Sequence, residues 1–276
     1  MKIHALQTGT VLVRTRQREG SGRGPLRPLK TMLDRQWTEP LPILAWAIEH
    51  PEGVIVIDTG ETARATQPGW FPRWHPYYRL AVRFSVTPEQ EAGPALRAAG
   101  LDPGAVRWVV LTHLHTDHAG GLDHFPRAEV LVSRTEYELA QGFMGKVRGY
   151  VPHRWPASFA PRLLDLPATP FGSFERSMAL TEAGDVRIVA TPGHTPGHLS
   201  VVLAEEDGYV FFAGDASYEE RLMLAAAVDG VAPDPAVARD TLERIRRFAH
   251  DERVVYLPAH DTGAAARLAE RRPAPA

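Results

Sequence analysis

The stretch LTHLHTDHAGG, residues 111–121, crowds three histidines and an aspartate into the six positions from His113 to His118, directly after the apolar run VVL. Side chains on extended backbone alternate with period two, so His113 and His115 project to the same side. His118 lies three residues further on, where the chain turns toward a helix, and Asp117 precedes it. Imidazole nitrogen and carboxylate oxygen suit zinc, iron, manganese or cobalt. The donors also divide: His113 and His115 can serve one ion, and Asp117 and His118 a second one close by.

Two ions need further ligands, and the later chain offers them at strand ends. IVATPGHTPGH supplies His194 or His198, VFFAGDAS supplies Asp215, placed to bridge both ions, and VVYLPAHD supplies His260. The isolated histidines His4, His50, His75, His124, His153 and His250 read as ordinary surface or core residues.

Composition limits the alternatives. The chain has 276 residues, 44% hydrophobic and 23% charged, an ordinary globular balance that we read as a single domain over 1–276. Lys plus Arg is 31 and Asp plus Glu is 33, a net charge of 31 − 33 = −2. Neither nucleic acid nor an anionic membrane is suggested. No apolar run approaches the roughly 18 residues of a membrane span. The opening residues lack the apolar stretch and cleavage site of a signal peptide, so a cytoplasmic protein is expected. There are no cysteines, which excludes disulfides, thiolate nucleophiles and Cys-ligated zinc.

Short Val- and Ile-rich runs alternate with helical patterns, which implies sheets covered by helices. PILAWAIEH and GVIVIDTG read as a hairpin turning near Pro51–Gly53. The segment 88–101 reads as a helix capped by Thr87, with Pro88 at its first position and a possible break at Gly93-Pro94. VRWVVLTH, AEVLVS, VRIVATPGH, LSVVLAEEDGYVFFAGD and VVYLPAH read as strands, and RTEYELAQ as a helix. Residues 235–250 read as an amphipathic helix with Val237, Leu242, Ile245 and Phe248 on one face. Segments 16–40 and 62–86 read as loop-rich insertions near the active site or a dimer interface. Segment 142–181 is also irregular, and the final RRPAPA reads as a frayed tail.

HLHTDH followed by Gly-Gly resembles the HxHxDH motif of the metallo-β-lactamase superfamily. Asp58 in VIDTG, His194 in TPGHTPGH, Asp215 in AGD and His260 in PAH occur in that family's order, over about residues 40 to 262. The resemblance implies an α/β fold, an αββα sandwich of two facing mixed sheets with outer helices, and a binuclear metal site. It assigns His113, His115 and His194 to one ion, Asp117, His118 and His260 to the other, and Asp215 to both. Two divalent ions are expected, zinc before iron, cobalt or manganese. Asp58 takes a supporting role, since a buried carboxylate can orient a ligand imidazole, and His198 is also assigned support.

Two divalent ions lower the pKa of a shared water and polarise an electrophilic oxygen. A hydrolase of activated esters, lactones, thioesters, amides or phosphoesters is expected. GDASYEE puts Tyr218 three residues after Asp215, similar to the N-acyl-homoserine lactonase subgroup. That resemblance implies ring opening of N-acyl-homoserine lactones (quorum quenching) by a metal-bridging hydroxide. Tyr218 would sit at the lactone oxygen, and Asp117 would double as proton shuttle. The alternative is another hydrolase of the same fold, a phosphotriesterase or a general lactonase or esterase. The aromatic residues Trp70, Phe71, Trp74, Tyr77, Tyr78 and Phe84 have three readings: an acyl-chain pocket, a homodimer interface or a cap on the core. The resemblance favours the pocket, with Trp155 and Phe159 closing its other side.

Overall fold

In the computed structural model, which describes residues 1–20 and 26–275, the Val- and Ile-rich runs form two mixed sheets. The chain divides into two units, Met1–Arg14 with Met32–Leu164, and Thr15–Thr31 with Asp165–Ala276.

The first unit holds β1 (Lys2–Val13), β2 (Leu41–Glu49), β3 (Val54–Ile57), β4 (Val82–Ser85), β5 (Val106–Val110), β6 (Glu129–Ser133) and β7 (Arg162–Leu164). Their order in the sheet is β4-β1-β2-β3-β5-β6-β7. The first four pair antiparallel, and β3, β5, β6 and β7 run parallel. β2 is buried at every position except Glu49, the signature of a strand covered on both faces. The β2–β3 hairpin closes where Gly53 N–H donates to His50 O at 2.9 Å. Leu6, Val56, Leu96, Val109, Leu111, Leu114, Phe125 and Val132 form the core of this unit. Burying each such side chain contributes about 1.5–3 kcal/mol.

β1, twelve residues long, was not expected from the sequence. Its register shifts between Gln7 and Thr10, and Gly9 sits there at φ +121°. Such a bulge breaks the alternation that would have marked the strand.

The segment 88–101 also differs from expectation. Thr87 and Gln90 form a capping box around a 3-10 turn, Pro88–Gln90, and the chain re-enters helix at Ala92–Ala98. The break is therefore at Glu91. Gly93 and Pro94 lie in the new first turn, where a missing N–H costs nothing.

Segment 62–86 contains a 3-10 turn (Ala63–Thr66), a helix (Pro76–Leu80) and β4. Segment 16–40 contains all but the first residue of the helix Thr15–Glu19 and the whole of the helix Arg27–Met32, and its residues 21–25 lie outside the described residues.

The second unit holds β8 (Ser177–Ala179), β9 (Val186–Ala190), β10 (Leu199–Glu205), β11 (Gly208–Gly214) and β12 (Val254–Pro258), in the order β12-β11-β10-β9-β8. Among the described residues of this sheet only β11 and β12 pair parallel, and the helix Pro235–Asp251 lies in the connection between them. Asp234 caps this helix by accepting from Ala236 N and Val237 N. Its buried stripe is Ala238, Thr241, Leu242, Ile245, Phe248 and Ala249. Val237 is 40% exposed, one position off that stripe, because small Ala238 packs inward instead. The described part of the C-terminal RRPAPA is not frayed as expected: Ala274 is buried and its N–H donates to Val254 O at 2.8 Å. Among the described residues no helix is long and apolar enough to cross a membrane.

Candidate metal centre

In the first unit the parallel pairing of Ile57 with Val110 makes the chain leave β3 and β5 at the same end. Carboxyl ends of parallel strands are where α/β sheets build their sites. Asp58 follows β3 with a left-handed backbone, φ +57°. Its Oδ1 accepts Thr112 N–H at 2.8 Å, and its Oδ2 accepts Thr112 Oγ1 at 2.9 Å and His118 Nδ1 at 2.7 Å. Thr112, its hydroxyl hydrogen turned to Asp58, accepts from His113 Nδ1 at 3.1 Å. One carboxylate thus sets two tautomers, leaving the lone pair on Nε2 of both His113 and His118. His113 Nε2 lies 3.0 Å from His115 Nδ1. Asp117 and His118 occupy the short helix Thr116–Ala119.

Residues 58–61 lock against this loop. Thr59 N–H donates to His118 O at 2.7 Å, and Gly120 N–H to Gly60 O at 2.8 Å. A Cβ at Gly121 would stand 2.3 Å from Thr59 O, so the second glycine of the motif is a condition of that approach. Glu61 is fully buried, and burial, followed by the charge of Asp117, pushes its carboxyl up to about 8.

Sequence reading missed Glu136. It sits in the helix Arg134–Ala140 yet is fully buried. Its Oε1 accepts Leu114 N–H at 3.0 Å, between the two histidines, and the Tyr150 hydroxyl at 2.8 Å. Tyr150 in turn stacks on His115, ring centroids 5.1 Å apart.

In the second unit Gly214 pairs with Pro258, so Asp215 and His260 emerge side by side. β9 points the same way as β11, being two antiparallel steps from it, and His194 follows it. His194 Nε2 lies 3.5 Å from Asp215 Oδ2, and His260 Nε2 lies 3.3 Å from Asp215 Oδ1. One carboxylate therefore faces two imidazoles through its two oxygens. His194 is oriented by a residue the sequence did not signal: its Nδ1 donates to Asp229 Oδ2 at 3.1 Å. Asp229 Oδ1 meanwhile accepts Val231 N–H and Ala232 N–H, so in sequence it looks only like a turn-former.

Between the two histidines of TPGHTPGH, His194 is the one facing Asp215. His198 Nε2 accepts Asp215 N–H at 3.1 Å, and its Nδ1 bonds Thr191 Oγ1 at 2.9 Å. Both ring nitrogens are engaged, and the residue holds the Asp215 backbone.

Tyr218 is buried, stacked on His260 (centroids 5.3 Å, 25°) and edge-on to His194 (6.3 Å, 75°). Its hydroxyl oxygen accepts from Gln17 Nε2 at 2.8 Å. Asp261 Oδ2 accepts both Glu220 N–H at 3.1 Å and buried Arg267 at 2.9 Å, which ties the segment carrying Tyr218 to the one carrying His260.

The candidate substrate aromatics all belong to the first unit and form separate groups. Phe71 stacks on Tyr78 at 4.0 Å and meets Phe84 at 5.6 Å, while Tyr77 is edge-on to Tyr78. Trp155, Phe159 and Tyr137 make a second group. The guanidinium groups of Arg64 and Arg154 each lie over the Trp70 ring, at 5.0 and 4.4 Å from its centroid. Trp74 is 52% exposed and stacks on Phe143.

The model of the family described as the metallo-beta-lactamase superfamily matches residues 38–260. The N-acyl homoserine lactonase AiiA of Bacillus thuringiensis subsp. kurstaki is 28% identical over 223 residues, covering 80% of this chain and 82% of that protein. The N-acyl homoserine lactonase AttM of Agrobacterium fabrum is 29% identical over 240 residues, covering 81% and 83%. A solved N-acyl homoserine lactone hydrolase, with N-hexanoyl-L-homoserine bound at its catalytic metal centre, superposes with a TM-score of 0.72 at 21% identity, covering 95% of this chain and 93% of that one.

Proposed function

The chain belongs to the metallo-beta-lactamase superfamily, and from that premise we propose that it is a binuclear metal-dependent lactonase opening the ring of N-acyl homoserine lactones. The observation that carries the reading is the packing of Tyr218 on His260 and against His194, three residues beyond the carboxylate that faces both imidazoles. The similarity to lactonases over four fifths of the chain supports the substrate class.

The donor chemistry fits a pair of divalent cations. The hydrogen bonds to Asp58, Thr112 and Asp229 present Nε2 lone pairs on His113, His118 and His194. Neutral, tautomer-fixed imidazoles with carboxylate oxygens are what zinc prefers where sulfur is absent. In this reading His113, His115 and His194 hold one ion, Asp117, His118 and His260 the other, and Asp215 serves both. Bound there, the pair would supply a water acidic enough to react near neutral pH and a Lewis acid for the carbonyl.

The remaining steps belong to side chains. The Tyr218 hydroxyl donates to the lactone carbonyl oxygen as negative charge develops on it. Asp117 takes up the proton shed by the attacking water and delivers it to the ring oxygen as the acyl–oxygen bond breaks. Water is thereby added across that bond, giving the N-acyl homoserine. The aromatic groups of 70–84 and 155–159 offer the acyl chain apolar surface. A cytoplasmic setting and a homodimer belong to the same reading.

The test is elemental analysis of the purified protein together with ring-opening assays on homoserine lactones of several chain lengths, beside a phosphotriester and a β-lactam. Two equivalents of metal and lactone opening above background are expected. A metal-replete protein that opens none of the lactones would overturn the proposal, and turnover of the phosphotriester alone would move the chain to that class.

A further inference from the structure

Gln17 is a buried polar side chain on a five-residue helix, Thr15–Glu19, far in sequence from every ligand candidate. Its carboxamide Nε2 donates to the Tyr218 hydroxyl oxygen at 2.8 Å. The contact is built rather than incidental. Arg18 Nη1 pairs with Glu219 at 3.1 Å and Arg221 Nη1 with Glu19 at 3.0 Å, so the residues flanking Gln17 are cross-linked to those flanking Tyr218. Gln17 O also accepts Gly230 N–H at 2.8 Å, next to the Asp229 that orients His194. A Cβ at Gly230 would stand 2.2 Å from Arg16 O, so that position is tailored to the approach.

A phenol carries one hydrogen and accepts on its oxygen. A donor fixed on that oxygen fills one acceptor site and leaves the hydroxyl hydrogen to point elsewhere. It also stabilises the phenolate over the phenol, and polarises the O–H as a donor. We infer that Gln17 is a positioning residue that fixes Tyr218 as a hydrogen-bond donor toward the developing oxyanion of the lactone, an inference that rests on the role given to Tyr218 above. It acts through the tyrosine and does not itself touch substrate.

The test combines Gln17→Leu and Gln17→Glu, each alone and with Tyr218→Phe, in zinc-loaded protein carrying tyrosine labelled with carbon-13 at Cζ. Tyr218→Phe assigns the resonance. Gln17→Leu is expected to shift the Tyr218 Cζ resonance at fixed pH, and to lower kcat about fivefold with little change in KM, the scale of one neutral hydrogen bond. Gln17→Glu, which turns the partner from donor to acceptor, is expected to shift the resonance as well and to cost more activity. In the Tyr218→Phe background Gln17→Leu should be silent. An unmoved resonance in both variants, or an equal loss from Gln17→Leu with and without the Tyr218 hydroxyl, would overturn the inference. If the protein opens no lactone, the proposed function fails, and the resonance separately decides whether Gln17 holds the phenol.

Discussion

His194 donates its Nδ1 hydrogen to Asp229 Oδ2 at 3.1 Å. The first unit repeats the device, with His118 donating to Asp58 at 2.7 Å. In each case a buried carboxylate fixes which ring nitrogen keeps its lone pair. Asp229→Asn keeps an oxygen for Val231 N–H and Ala232 N–H but offers His194 an amide. Metal affinity, measured by competition with a chromogenic chelator, should fall about 10–100-fold, with the fold intact by circular dichroism. Unchanged affinity would show that the tautomer is set elsewhere.

Asp117 and Tyr218 are assigned different burdens. Asp117→Asn removes a charge and a proton carrier, so kcat should fall by on the order of 10³-fold or more. Tyr218→Phe removes one hydroxyl donor and should cost about tenfold to a hundredfold. Equal losses in a lactone assay would contradict the division of roles.

The pH dependence of stability has a marker away from the ligands. Burial works to raise the Glu91 carboxyl, but hydrogen bonds from Ala63 N–H, His124 and Thr62 outweigh it and hold the group below the ordinary glutamate value. A depressed folded-state pKa stabilises the protein above the unfolded value of about 4.3, and that contribution is lost as the pH falls through the folded value. Glu91→Gln should therefore cost about 1 kcal/mol at pH 7, allowing for solvent screening at this partly exposed site. In urea titrations the gap from the parent protein should close on acidification below the glutamate range. A gap constant with pH would assign the effect to packing.

Gly60 carries two constraints at once, φ +64° and a position where a Cβ would stand 1.9 Å from Thr8 Oγ1. Thr8 is buried and bonds Ile43 O, so it has nowhere to retreat. Gly60→Ala should cost about 3 kcal/mol or more in denaturant unfolding. Gly100→Ala, at φ +84° with open space around it, carries the backbone penalty alone and should cost about 1 kcal/mol. Similar losses at both positions would show that Thr8 yields.

The ligand candidates were legible because metal donors are rare residue types, clustered in one loop or placed just after apolar runs. Of the groups that orient the candidate residues, Asp58 was legible from its motif, but three others were not. Asp229 reads as a turn residue, Gln17 as one polar residue among arginines, and Glu136 as the outer face of a helix. Each owes its role to a partner distant in sequence, Gln17 to Tyr218 and Glu136 to Leu114, and no local pattern encodes that pairing. The same limit explains the strands. β12, buried throughout, and β5, apolar except for Arg107, stood out, while β1 was hidden by a bulge and by polar residues along its length. Helix periodicity located 235–250 of the helix Pro235–Asp251, but it chose Val237 over the smaller Ala238 for the buried stripe, since volume matching is invisible to a hydrophobicity pattern.

The parallel pairing of β12 with β11 also bears on how a newly made chain matures. A parallel neighbour cannot be reached by a tight turn, so His260 arrives beside Asp215 only after the intervening helix has docked. Contacts so separated along the chain form slowly. A nascent polypeptide halted before Val254 would expose the inner edge of β11 and lack His260 altogether, leaving it prone to self-association and unable to mature into a partly working enzyme.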